Sequence, residues 1–302
     1  MARCSSGSRS FRCRFQDRHC KGKPLLSYRH SFHAGNFADL LKHIVLVEIL
    51  DYLIQKEAGF EYIDTHAGAG LYSLSSVEAQ KLQEYAGGIG KLDAEDFPEL
   101  ARYFEVVGSF NPAKGLEFYP GSPAIANFFL RSQDRAWLHE LHPRDYELLC
   151  ETMSGSRISR VQRQDGFEGL NGLLPPVRRR GLVLIDPSYE IKSDYDRVVT
   201  YIVNGHKKFS QGIFALWYPV IDRRTIDKLQ AKLIKSGIRN IQRFELGIYA
   251  DDYAKGMTSS GMIVINSPWT LFNKMSQVLP KLAQQIGEAN SGHFKCDVLA
   301  AE

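Results

Sequence analysis

Four consecutive residues, Asp186-Pro187-Ser188-Tyr189, place a carboxylate, a proline carbonyl and an aromatic ring directly behind the apolar run Leu182-Val183-Leu184-Ile185. Such a set suits an amine conjugated with an aromatic base. That amine is a poor nucleophile, because its lone pair is delocalised into the ring. Acceptors for both of its N–H groups, here the Asp186 carboxylate and the Pro187 carbonyl, return electron density to nitrogen and fix the direction of its lone pair. Proline at 187 confines Asp186 to an extended backbone, and Tyr189 can stack on the base, a contact worth ~1–3 kcal/mol. A plain turn is the competing reading. A second segment, Asn266-Ser267-Pro268-Trp269, offers similar groups behind the run from Met262 to Ile265. Its strand is the last of the series and belongs toward the far edge of a sheet, so Asp186 is taken as the reactive position.

A glycine-rich turn, Asp64-Thr65-His66-Ala67-Gly68-Ala69-Gly70, follows the run from Phe60 to Ile63. Small residues there let backbone approach a ligand closely, and the next helix supplies amide donors. Alone, the turn fits a dinucleotide, a methyl donor or no ligand at all. Glu140 ends the second apolar run, where an acid can accept from both hydroxyls of a ribose. Asp165-Gly166 follows the third, where a side-chain oxygen can accept from the amine of a cofactor's adenine. A nicotinamide enzyme uses the second of these acids and has no clear use for the third, whereas a cationic sulfonium favours an acidic rim. The set therefore points to S-adenosyl-L-methionine, with Asp64, Gly68, Glu140, Asp165 and Gly166 facing it. No metal is expected: His139 and His142 straddle a strand end and would not share a face, and Cys4, Cys13, Cys20, Cys150 and Cys296 show no redox or zinc spacing.

Seven short apolar runs must position these groups, at 60–63, 136–138, 159–161, 182–185, 213–218, 241–246 and 262–265. Separated by helical stretches, they predict an α/β fold with a doubly wound, mainly parallel seven-stranded sheet that binds ligands at the carboxyl ends of its strands. Leu40, Leu41, Ile44, Val45, Val47, Leu50 and Leu53 recur with helical spacing and predict an amphipathic helix over 39–55. Residues 73–118 fit the alternation poorly and are read as an inserted helical subdomain in a core formed by 25–72 and 119–302. The insertion accounts for the long interval between Gly70 and Glu140.

Residues 1–24 carry Arg3, Arg9, Arg12, Arg14, Arg18, Lys21 and Lys23 against Asp17, a charge of +6. The rest of the chain therefore sits at −2 within a whole-chain charge of +4, and the overall charge argues little about a polyanionic partner. The tail reads as disordered, as an RNA-binding arm or as an over-extended start. No apolar run approaches the ~20 residues of a membrane span, and the N-terminus lacks the apolar core of a signal peptide. A cytoplasmic protein, without membrane attachment and monomeric, is expected.

Asp186-Pro187-Ser188-Tyr189 resembles the motif of amino-methyltransferases, Asp or Asn, Pro, Pro, then Tyr or Phe; Ser188 departs from the second proline without removing an acceptor. From about Leu25 to Glu302 the chain resembles the RlmJ family, bacterial methyltransferases of an adenine in large-subunit (23S) ribosomal RNA. The likeness rests on Leu26 to Asn36, Asp64 to Gly70, Tyr119-Pro120-Gly121-Ser122-Pro123, Glu140-Leu141-His142-Pro143, Leu216-Trp217-Tyr218-Pro219 and Gly256-Met257-Thr258. It implies a class I, Rossmann-like methyltransferase sheet with a small helical insertion, S-adenosyl-L-methionine as cofactor, ribosomal RNA as partner and methylation at the adenine N6. Carried over by motif, the cofactor residues are Lys42, His43, His66, Ser122, Glu140, Asp165, Gly166 and Asp186. Tyr28 and His30 lie in a loop suited to close over cofactor and target base. A DNA adenine methyltransferase and a non-catalytic RNA-binding assembly factor are the alternatives.

Overall fold

The protein is described here by a computed structural model covering residues 29–113, 115–251 and 256–302. The basic tail and Tyr28 lie outside the described residues. Five parallel strands form one side of the main sheet, out to its edge at β5: β1 (Glu61–Asp64), β4 (Arg135–His139), β5 (Ser159–Gln162), β6 (Gly181–Ile185) and β7 (Ile213–Val220). β2 (Leu71–Ser73) and β3 (Phe118–Pro120) form a separate antiparallel pair. β8 (Ile241–Gly247), β9 (Ser259–Ile265) and β10 (His293–Ala300) complete the main sheet in the order β10-β8-β9-β7-β6-β1-β4-β5.

All seven expected runs are strands, and β10 is an eighth that the sequence reading missed. It lies on the outer edge, antiparallel to β8. Its side chains are partly exposed throughout, with Phe294 and Val298 open to solvent, so it shows no unbroken apolar run. The central strands do, because helices cover both faces. In β6, Leu182 and Leu184 join one core and Val183 and Ile185 the other. Each such side chain contributes ~1.5–3 kcal/mol on burial.

β1 is the switch point, with β4 on one side and β6 on the other, and the crevice opens above the carboxyl ends of these strands. α1 (Phe37–Ile54) packs against β9 and against α5 (Ser122–Phe129). Asn36 caps it, its Oδ1 accepting from the amides of Ala38 and Asp39 at 3.0 Å each. The expectation of an amphipathic helix fails here. Asp39, Lys42 and His43 are buried along with the apolar residues, because their face looks into the crevice and not into solvent. Between β2 and β3 run α2 (Val77–Leu82), α3 (Glu84–Gly87) and α4 (Ala101–Ser109). Tyr103, Val106 and Val107 of α4 enter the same core as α1. Among the described residues, no helix is long and apolar enough to cross a membrane.

Candidate active site

The segment that follows β6 is held by a chain of charges reaching back to α1. Lys42 donates from Nζ to Asp186 Oδ2 at 2.7 Å and also pairs with Asp39 Oδ1 at 2.9 Å. Positions 39, 42 and 43 share one helix face through their i, i+3, i+4 spacing. Asp39 accepts further from His30 Nε2 at 2.8 Å and from the Gly35 amide at 2.9 Å. Burial pushes the Asp39 carboxyl up, but His30 and Lys42 outweigh it and hold the group well below the usual carboxylate range. Burial likewise opposes charge on Lys42, and the Asp186 and Asp39 carboxylates more than restore it, so its pKa lies well above that of an ordinary lysine. Asp186 has one shared cation. Burial dominates there and pushes its carboxyl up to about 6 despite Lys42. With Oδ2 engaged by Lys42, Asp186 Oδ1 has no hydrogen-bond partner among the described residues.

The glycine turn after β1 is shaped by its own carboxylates. Gly68 has φ +62°, and a Cβ there would sit 2.3 Å from the Tyr72 hydroxyl oxygen, so both conformation and space require glycine. Its amide donates to Glu140 Oε2 at 2.7 Å, and the His142 amide donates to Oε1 at 2.7 Å. Burial outweighs these donors and pushes the Glu140 carboxyl up to about 7. Ser122, at the start of α5, donates to Asp64 Oδ2 at 2.7 Å, as does the Tyr62 hydroxyl. His43 Nδ1 lies 2.9 Å from the Tyr119 hydroxyl, while its buried Nε2 has no hydrogen-bond partner among the described residues. Burial lowers the His43 pKa to about 3, so its ring is neutral.

On the far side, Asp165 caps α7 (Gly166–Leu173), its Oδ1 accepting from the Phe167 amide at 2.9 Å. Its Oδ2 accepts from Arg197 Nη2 at 3.0 Å, and Arg197 also pairs with Asp194 at 3.2 Å; both belong to α8 (Asp194–Lys208). Burial pushes Asp165 up, yet Arg197 holds it below the ordinary aspartate value. Gly166 is pressed on the glycine turn: a Cβ there would lie 1.8 Å from the Thr65 carbonyl oxygen. His66 meets the Phe167 ring edge-on at 4.9 Å, and burial lowers its pKa to about 4.

One cleft of about 1310 Å³ collects His30, Lys42, His43, His66, Gly68, Ser122, Glu140, Asp165, Gly166, Asp186 and Pro187. Two expected residues do not reach its surface. Asp64 is fully buried beneath the turn, with its oxygens spent on Tyr62, Ser122 and the His66 amide. Tyr189, only 7% exposed, is folded inward: its hydroxyl donates to the Trp217 carbonyl at 2.7 Å and its ring lies 4.5 Å from that of Tyr195. The competing Asn266 is not at a sheet edge, since β9 lies between β7 and β8. Direction excludes it instead. β9 runs antiparallel to β7, and Asn266 Nδ2 donates to the Ser210 and Gly212 carbonyls ahead of β7, at 2.8 Å each. That is the end of the sheet opposite the cleft. Sequence reading missed Asp39, Arg197 and Trp217, which also line the cleft. A signal existed for Asp39 in its spacing to Lys42, and for Trp217 in the Leu216 to Pro219 motif; Arg197, in the first turn of α8, carried none.

The family model described as "Ribosomal RNA large subunit methyltransferase D, RlmJ" matches residues 57–300. The chain belongs to the RlmJ family. The RlmJ match takes in every strand described above. Two proteins named Ribosomal RNA large subunit methyltransferase J are similar over nearly their whole length. That of Escherichia coli is 50% identical, covering 89% of this chain and 97% of the relative. That of Haemophilus influenzae is 48% identical, covering 92% and 100%. A crystal structure of a Legionella pneumophila protein is 36% identical with a TM-score of 0.79, covering 88% of this chain and 98% of the other. The chain is thus a member of a methyltransferase family with a Rossmann-like α/β fold.

Proposed function

We propose that this protein transfers a methyl group from S-adenosyl-L-methionine to N6 of an adenine in large-subunit ribosomal RNA. The observation that carries the reading is the Asp186 carboxylate at the end of β6, beside the switch point, pinned through Oδ2 by Lys42 and with Oδ1 left for a ligand. The names of the relatives direct the choice of nucleic acid toward ribosomal RNA.

The donor set fits the cofactor. The buried Nε2 of His43 has no hydrogen-bond partner among the described residues, and Glu140 presents a half-buried carboxylate at a strand end, as a ribose diol requires. Glu140, Asp165, Gly166, His66, His43 and Ser122 would hold it. When bound, S-adenosyl-L-methionine supplies an electrophilic methyl group on a cationic sulfonium. Asp186 Oδ1 and the Pro187 carbonyl accept from the two N–H groups of the target amine and direct its lone pair. Lys42 keeps the carboxylate in place and ionised at neutral pH, so Asp186 can receive the proton that the amine releases. Positioning and fixed charges, with little reorganisation, are what these residues contribute. The target base must leave its stack to enter the cleft.

Glu140→Ala is expected to raise the Michaelis constant for the cofactor while single-turnover transfer at saturating cofactor stays near the parent rate, since a ribose contact is made equally in ground and transition states. Cofactor affinity of the parent should weaken as pH falls through about 7, where Glu140 gains its proton. Calorimetry against pH checks both points, and an affinity unmoved by the substitution contradicts the role. Supplying labelled cofactor with ribosomal RNA and DNA in parallel tests the function itself: label entering RNA supports it, label entering DNA alone indicates a DNA enzyme, and cofactor binding without transfer indicates an assembly factor.

A further inference from the structure

We infer that the end of the sheet opposite the cleft is a second RNA-contact surface: it holds the phosphate backbone of a stretch of the same RNA distant from the target adenine, with Trp269 stacked on one unpaired base of that stretch. This deepens the proposed reading and rests on it. The cleft itself repels a polyanion, because its lining holds nine carboxylates against three cations, Lys42, Arg144 and Arg197. A phosphate chain must find its attraction elsewhere. The segments that lead into β1, β4, β5, β6, β7 and β8, at 55–60, 130–135, 153–158, 174–180, 207–212 and 235–240, all lie at the amino ends of strands that run the same way. They hold eleven lysines and arginines against two acids, Glu57 and Asp134. Glu302, which accepts from Asn240 at 3.2 Å, is a third acid at that end. Residues 25–302 as a whole sum to −2, so this end stands apart from an otherwise acidic body.

Among the described residues, only Arg131 and Arg178 of these cations meet a carboxylate, Asp134 at 2.9 Å and Glu61 at 3.9 Å. Arg180 shares a neutral acceptor, the Ala58 carbonyl, with Arg131, at 2.7 and 3.4 Å, so two guanidiniums crowd one site. Burial and then Arg131 lower the Arg180 pKa. Helix ends favour cations such as Lys207, Lys208 and Lys235, but the run Arg178-Arg179-Arg180 lies in a loop. At ~4.8 Å per strand, the row from β8 to β5 spans about 30 Å. Trp269 stands in this row, since β9 lies between β7 and β8 and runs the other way, and its side chain is 76% exposed. An open indole among cations is the combination that holds unpaired nucleic acid, the ring stacking on a base while lysines and arginines follow the backbone. The two ends lie roughly 15–20 Å apart by strand length alone, so a short RNA seated in the cleft leaves this surface empty.

The test uses the full chain, saturating S-adenosyl-L-methionine and two RNAs: unmethylated large-subunit ribosomal RNA, and a short RNA carrying only the methylated adenine and its immediate neighbours. Arg179→Gln, Lys207→Gln and Arg239→Gln combined should weaken binding of the long RNA roughly tenfold or more at about 0.1 M salt, and should lower the slope of log affinity against log salt by about 2 to 3, the loss of three phosphate contacts. Trp269→Ala should weaken the same binding roughly fivefold to a hundredfold, the range of one base–aromatic stack, with the slope unchanged. All four side chains are exposed, so denaturation midpoints should match the parent. Cofactor affinity and kcat/KM for the short RNA should stay within about twofold of the parent in both variants, because neither touches the cleft. Parent-like binding and slope on the long RNA, or an equal loss on the short one, overturns the assignment. Parent binding to phosphatidylserine vesicles that the triple variant loses, with its RNA binding intact, overturns it in favour of a membrane. Binding is read without turnover, so a parent that binds the long RNA and leaves it unmethylated overturns the wider reading instead.

Discussion

Asp186→Ala should slow single-turnover methyl transfer by roughly 100- to 1000-fold, the usual loss when one preorganised transition-state partner is removed. The carboxylate is assigned a charge-assisted hydrogen bond that strengthens as positive charge develops on the attacking nitrogen. The fold should survive, because Asp186 is half-buried at a strand end and Lys42 keeps its second partner, Asp39. Asn266→Ala supplies the contrast. Its amide secures two carbonyls at the opposite end of the sheet, so turnover should stay within a few-fold of the parent once lost stability is allowed for. Saturating cofactor and single-turnover conditions remove product release from the comparison. An active Asp186→Ala beside a folded but inactive Asn266→Ala would reverse the assignment of the reactive loop.

Removing the cation between the two carboxylates should act through both stability and pH. Lys42→Met leaves Asp39 and Asp186 buried on either side of an apolar side chain; breaking a buried pair in this way typically costs about 3–5 kcal/mol, readable as a lower denaturation midpoint. Its effect on rate has a definite sign. Asp186 must be ionised to accept from the amine, so the parent rate should rise with pH through about 6 and level off above it. Lys42 opposes the upward push of burial on Asp186. Without the ammonium, the group should titrate at higher pH, the acid limb of the profile should move the same way, and activity lost at neutral pH should return in part in alkali. Rate against pH for parent and variant checks this, and a limb that stays in place would show that Asp186 is not the titrating group.

The central sheet was legible because strands buried on both faces must read as unbroken apolar runs, as Leu182 to Ile185 do. β10 was not, since Lys295 and Asp297 interrupt an edge strand that needs no such run. Acids at strand ends were equally legible: Glu140, Asp165 and Asp186 meet in one cleft because the sheet's geometry brings together whatever follows neighbouring carboxyl ends. Residue type and order say which chemistry is available but not which way a side chain turns. Asp64 points down to Ser122, 58 positions along the chain, and Tyr189 points in to Trp217, 28 positions along. Lys42 and Asp186 are 144 positions apart, and Arg197 acts through Asp165; pairings at such range leave no local pattern.

The most direct test of the whole account is nucleoside mass analysis of large-subunit ribosomal RNA, taken from a strain lacking the gene and incubated with purified protein and S-adenosyl-L-methionine. The expected result is one added methyl group per RNA, recovered as N6-methyladenosine, and only a small fraction of that in the same time with Asp186→Ala. A methyl group on another base or on ribose, or unmethylated RNA beside methylated DNA, would contradict it.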